Sequence, residues 1–152
     1  GTLHAIRRAG GHYNGFNLLA GHADAAAWTS NRTQRVVELA SGIHGLSNAL
    51  LDTRWPKVVR TKALVTDWCD RGDDDIAGIF DGLANRMVAP DEDLPATGVT
   101  LERERLLSAP FIVSADYGTR CSTVFTIDHD DFETYRISGR KKFRILPARS
   151  AR

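Results

Sequence analysis

Apolar and polar positions change rhythm twice along the chain. Phe16 to Ala20, Ala25 to Ser30 and Arg35 to Leu39 are short strand-like runs separated by Gly21-His22-Ala23-Asp24 and Asn31-Arg32-Thr33, with Tyr13-Asn14-Gly15 before the first. Turn chemistry at such close spacing predicts an antiparallel meander with one face buried. Ser41-Gly42 leads into Gly42 to Leu46, expected as a fourth strand. Ahead of the meander, Leu3 and Ile6 with Arg7 and Arg8 read as the last turns of a helix stopped by Gly10-Gly11.

At Pro56 the period shifts from two to about 3.6. Val58, Val65, Trp68 and Cys69 fall at i, i+7, i+10 and i+11, so a helix is predicted from Pro56 to near Gly72. Ile76, Ile79, Phe80, Leu83 and Met87 form a second stripe behind the acids Asp73 to Asp75, which favour a helix N-terminus. Ala89 to Thr100, with Pro90, Pro95 and Gly98, reads as a surface loop, and Leu101 to Leu107 as a short helix. The period then returns to two. Phe111 to Ser114, Thr119 to Asp128, Phe132 to Ser138 and Lys142 to Leu146 read as strands, with Tyr135, Ile137, Phe143 and Ile145 placed inward. Both faces of Thr119 to Asp128 are apolar or small, the pattern of a central strand. The tail Pro147 to Arg152 is expected to fray. Sheet, helices, sheet is an α+β order.

Composition narrows the function classes. A chain of 152 residues reads as one domain, residues 1-152, that buries roughly 70% of its unfolded surface. Twenty basic against nineteen acidic side chains leave a net charge of +1, so no overall field selects nucleic acid or a membrane surface as partner. No apolar run is long enough for a transmembrane segment. Cys69 and Cys121 lie far apart without a CxxC pattern, which makes a reducing, cytoplasmic compartment the default.

Most candidate chemistry has an ordinary structural explanation. The histidines His4, His12, His22, His44 and His129 show no ligand spacing, and no metal is assigned. Asp73 to Asp75 suit a solvated helix start better than a cation. Cys121 suits the pleat of a strand, and Arg140 to Arg144 suit a charged sheet edge. Two clusters stand out. Ser47-Asn48 lies at an expected strand end, in a loop whose Ala49, Leu50 and Leu51 should pack down and fix the Asn48 amide; such an amide is a neutral donor suited to an oxyanion. Tyr117-Gly118-Thr119-Arg120 enters a strand beside Cys121, where a guanidinium would favour thiolate.

The same stretches carry a family resemblance. Gly15-Phe16-Asn17-Leu18-Leu19, Ser30-Asn31-Arg32, Gly45 to Asp52 with Trp55-Pro56-Lys57-Val58, Leu94-Pro95 with Thr97-Gly98-Val99, Glu104 to Ser108, and Tyr117 to Arg120 with Ser122-Thr123 resemble, in this order, the transport and Golgi organisation family, also called the NRDE family. The resemblance implies an N-terminal nucleophile hydrolase-like layered fold, with antiparallel sheets and packed helices. Its N-terminal cysteine and Asn-Arg-Asp-Glu motif are not in this sequence, which therefore resembles the C-terminal portion of a member with the N-terminal part missing. That missing half is then itself an expected partner.

By looser analogy with amide hydrolases of the same superfamily, Asn48 and Arg120 would take supporting catalytic roles, as oxyanion donor and charge partner of a cysteine absent here. Asn17, Asn31, Arg32, Ser47 and Tyr117 would line a ligand site. The family is associated with Golgi organisation, secretion, lipid homeostasis and haem mobilisation. The implied function is handling of a hydrophobic small molecule or lipid, with haem or an acyl lipid as ligand and no certain cofactor. The alternatives are an amide hydrolase and a scaffold in secretion.

Overall fold

A computed structural model describes residues 2–22, 25–33, 35–72, 75–127, 132–138 and 141–145, with side chains described as far as Thr126. The elements are antiparallel strands and helices, an α+β arrangement, and they divide into two compact units, Gly1–Thr53 and Arg54–Arg152. Among the described residues no helix is long and apolar enough to cross a membrane.

In the first unit α1 (Thr2–Ala9) gives way to a 3-10 turn, Gly10–His12, and then to a three-stranded meander of β1 (Asn17–His22), β2 (Ala25–Ser30) and β3 (Val36–Glu38). The register runs from Asn17 opposite Ser30 to His22 opposite Ala25, and from Ala27 opposite Glu38 to Thr29 opposite Val36. β2 is the middle strand and α1 packs on it, so the run Trp28-Thr29-Ser30 is buried on both faces. The two hydroxyls are satisfied there. Thr29 Oγ1 donates to the Arg35 carbonyl at 3.0 Å and Ser30 Oγ to the Phe16 carbonyl at 2.6 Å.

The expected fourth strand does not form. Gly42 takes φ +143°, outside the extended range open to side chains, and the Gly45–Asp52 segment folds back on itself. Asp52 N–H donates to the Gly45 carbonyl at 2.8 Å while Asp52 Oδ1 accepts from Gly45 N–H at 2.9 Å. These bonds occupy groups a ladder would need. Nor does the loop bury all of its apolar residues as expected: Ala49 and Leu51 are half-buried, but Leu50 is 44% exposed.

In the second unit α2 (Pro56–Arg71) starts on proline behind an extended Trp55 and stops at Gly72, left-handed at φ 60°. α3 (Ala77–Leu83) packs on α2 where Gly82 meets Leu64, and buries Ile79 and Phe80. Because α3 ends at Leu83, Met87 leaves the stripe and stands 63% exposed; Cys69, at the end of its own stripe, is also exposed. α4 (Leu101–Leu107) starts at Thr100, whose hydroxyl accepts from Arg103 N–H. Its buried Glu104 holds the preceding loop through Thr97 N–H at 2.8 Å and Thr97 Oγ1 at 2.5 Å.

The last sheet orders β4 (Cys121–Ile127), β5 (Phe132–Ser138) and β6 (Lys141–Ile145) as an antiparallel meander. β4 pairs only with β5 among the described residues, so the strand expected at the centre lies at an edge, and Phe125 on it is 52% exposed. Phe111 to Ser114 contributes a single bridge, Val113 with Gly118, because Asp116-Tyr117-Gly118 turns the chain back at once. The inward placements of Tyr135, Ile137, Phe143 and Ile145, the roles of Asp73-Asp74 and His129, and the tail Pro147 to Arg152 lie outside what is described.

Candidate functional site

Three of the motif stretches meet in the first unit. The hinge of the meeting is Asn31, which follows β2. Its Oδ1 accepts from Phe16 N–H at 2.8 Å, and its Nδ2 donates to the carbonyls of Gly10, Tyr13 and Asn14 at 2.9, 3.2 and 3.1 Å. One side chain thus shapes the whole turn from the 3-10 segment into β1. Asn17 does the same for the other wall: Nδ2 donates to the Ser47 and Ala49 carbonyls at 3.3 and 2.9 Å, and Oδ1 accepts from Trp28 Nε1 at 3.1 Å. Arg32 completes the closure, its Nη1 donating to the Asn48 carbonyl at 3.2 Å. The guanidinium lies over Gly15, in the space that a Cβ at that position would take.

The result is a cleft of about 580 Å³ between these segments, lined by Gly15, Phe16, Asn17, Arg32, Leu46, Ser47 and Asn48. Next to it, and sharing Gly15, Phe16 and Asn17, runs a groove of about 720 Å³ lined also by Ile6 and Ala9 of α1, Tyr13 and Leu18. The cleft is polar at its Arg32 end. The groove is mostly apolar.

The cleft's outer wall is braced at its ends. His44 Nδ1 stands 2.7 Å from Asp52 Oδ2 and Nε2 stands 3.0 Å from the Ala40 carbonyl. Both ring nitrogens face acceptors, which suits the doubly protonated ring. Asp52 itself sits at φ +56°, a conformation that aspartate tolerates better than most residues.

Of the residues expected in a site, Asn17, Asn31, Arg32, Ser47 and Asn48 are thus in one place. The amides of Asn17 and Asn31 are turned to backbone groups and, for Asn17, also to the Trp28 indole, whereas Arg32 and Asn48 are exposed, and no described residue hydrogen-bonds the Asn48 side chain. Tyr117 and Arg120 belong to the second unit. Tyr117 stands on a tight hairpin, its carbonyl accepting from Ser114 N–H at 3.0 Å and its ring 5.3 Å from the Arg103 guanidinium; Arg120 is exposed. Three contributors were not foreseen: Gly15 as the seat of Arg32, the groove side chains Ile6 and Tyr13, and the His44–Asp52 brace. The residue pattern held a signal for the second, since Ile6, Phe16 and Leu18 flank a turn too short to separate them.

No group of three or more His, Cys, Asp or Glu residues is arranged to hold a metal among the described residues, and the cleft lining contains no thiol. In the second unit, burial lowers the Lys57 ammonium below the ordinary lysine value, with Nζ donating to the Leu107 carbonyl at 3.0 Å. The Arg105 guanidinium, bonded to both carboxylate oxygens of Asp91 at 2.7 and 2.5 Å, holds that carboxyl below its usual range.

Compared with known proteins, residues 2–137 match the family model described as Transport and Golgi organisation 2. The chain is 38% identical over 142 residues to the Transport and Golgi organization protein 2 homolog of Bos taurus, covering 84% of this chain and 51% of that protein. It is 31% identical over 147 residues to the Homo sapiens homolog, covering 88% and 53%, and 29% identical over 147 residues to the Mus musculus homolog. The chain spans about half the length of these curated relatives.

Proposed function

The chain belongs to the Transport and Golgi organisation 2 family, and from that premise we propose that it binds an apolar ligand in the groove beside the cleft that the family stretches build. The observation that carries the reading is the groove itself: Ile6, Ala9, Tyr13, Phe16 and Leu18 line about 720 Å³ of open space, within the size range of small-molecule sites. An acyl chain suits that lining best. Haem would meet Tyr13 as its one side chain of a ligating type there, with no histidine, methionine or cysteine to take the iron. The ligand class is therefore an acyl lipid first and haem second.

Absorption titration with haemin, together with mass spectrometry of lipid carried through purification, tests this. The expected result is co-purified acyl lipid and at most a weak Soret change. No lipid and no Soret change would remove the reading.

An amide-hydrolase activity is the second reading, favoured by the exposed Asn48 amide in the cleft, a neutral donor of the kind that stabilises an oxyanion. It needs the cysteine nucleophile that the resemblance implies, and the cleft lining holds no thiol. Two three-stranded antiparallel sheets separated in sequence by helices support the layered, N-terminal nucleophile hydrolase-like form of the fold.

A further inference from the structure

The cleft and the groove have opposite chemistries and a common wall. Gly15, Phe16 and Asn17 line both. At one end stands Arg32, exposed, its guanidinium making one described hydrogen bond, to a backbone carbonyl, with no acidic partner among the described residues. At the other end Ile6, Ala9 and Leu18 present hydrocarbon.

A guanidinium carries five N–H donors in a planar fork that fits a carboxylate or phosphate through two parallel bonds. Here the fork is already placed. The Asn48 carbonyl holds one arm and the missing side chain of Gly15 lets the plane lie against backbone, so little side-chain freedom is left to lose on binding. The Asn48 amide is a second, neutral donor on the same cleft.

We propose that Arg32 is the head-group anchor of the site, and that the ligand is a single-chain amphiphile with an anionic head, its head in the cleft and its tail along the groove. This rests on the apolar-ligand reading and adds the charge, the polarity direction and the anchoring residue. Charge complementarity selects the anion, since a carboxylate or phosphate gains charge-assisted bonds to the fork that a neutral head lacks, and a cationic head is repelled. Cleft and groove are each the size of one small ligand, which suits one chain rather than two.

The test uses the whole chain and three probes of one tail length, laurate, dodecyl phosphate and dodecanol, kept monomeric and read by displacement of Nile red. Laurate, dodecyl phosphate or both should bind at least about tenfold tighter than dodecanol, a difference of about 1.4 kcal/mol. Arg32→Gln should bring the ratio of anion to alcohol affinity to about one, Arg32→Lys should keep part of it, and Arg35→Gln should leave it intact. Added salt should shrink the ratio without removing dodecanol binding. A preference for laurate assigns the head as carboxylate, and a preference for dodecyl phosphate assigns it as phosphate. Equal binding of all three probes to the native chain, or a ratio that survives Arg32→Gln, overturns the anchor while the apolar-ligand reading stands. Failure of Nile red and every probe to bind removes that reading, and the anchor with it.

Discussion

Asn31 makes four hydrogen bonds from one side chain, and three of them end on backbone carbonyls of the Gly10 to Asn14 turn. Asn31→Ala leaves those groups without their partner, a cost of about 1–2 kcal/mol set by the half-buried bonds to Phe16 and Gly10, since water can replace those to Tyr13 and Asn14. Urea denaturation should show it as a lower midpoint with unchanged slope, and Asn31→Asp, which keeps the acceptor but not the donors, should recover little. Lys57 makes a prediction about pH. Burial lowers its folded pKa, so the unfolded chain holds that proton to higher pH and binds more protons between the folded value and the ordinary lysine value of about 10.4. Stability should therefore rise with pH through that window. The rise should be absent in Lys57→Met, read as the difference between the two proteins' urea midpoints over alkaline pH. At this scale the residue pattern showed which side chains gather but not what each one grips. Asn17 and Asn31 are polar residues in motif positions, and only the fold reveals that their amides answer backbone carbonyls.

Among the elements, those with local punctuation were legible in advance. Pro56 and Gly72 bound α2, Thr100 starts α4, and the turn residues on either side of β2 mark its span. The segment from Gly42 to Asp52 was not legible, because what shapes it is a pairing of Gly45 with Asp52 that apolar periodicity does not encode. The edge position of β4 was hidden for a related reason: small and apolar residues on both faces imply cover, and do not say whether a second strand or something else provides it. The His44 brace across this loop gives a test at its own scale. His44→Ala should raise protease cleavage between residues 40 and 52 by about tenfold, the effect of losing about 1.4 kcal/mol of local closure, while global unfolding shifts little. Helix packing supplies another. Gly82→Ala drives a Cβ into Leu64 and should cost about 1–3 kcal/mol. Leu64→Ala in the same chain should cost less than it does alone, a coupling measurable by a double-mutant cycle.

For the whole molecule, the order of short motifs along the chain carried more than any one residue did. It identified the family, which the match over residues 2–137 establishes. The composition, near neutral and without an apolar span, gave only exclusions. What the motif order did not contain was the groove. Its lining comes from α1, the turn after it and the start of β1, and it becomes a site only when Asn31 folds that turn. That this groove takes an apolar ligand is the proposal on which the rest depends. Ile6 tests it, being partly exposed on α1 and free to change without emptying the core. Nile red titration of the native chain and of Ile6→Glu, matched by circular dichroism, should give saturable one-to-one binding in the first and at least about tenfold weaker binding in the second, because a carboxylate replaces hydrocarbon on the wall. Equal binding by the two proteins, or no saturable binding by the native chain, would contradict it.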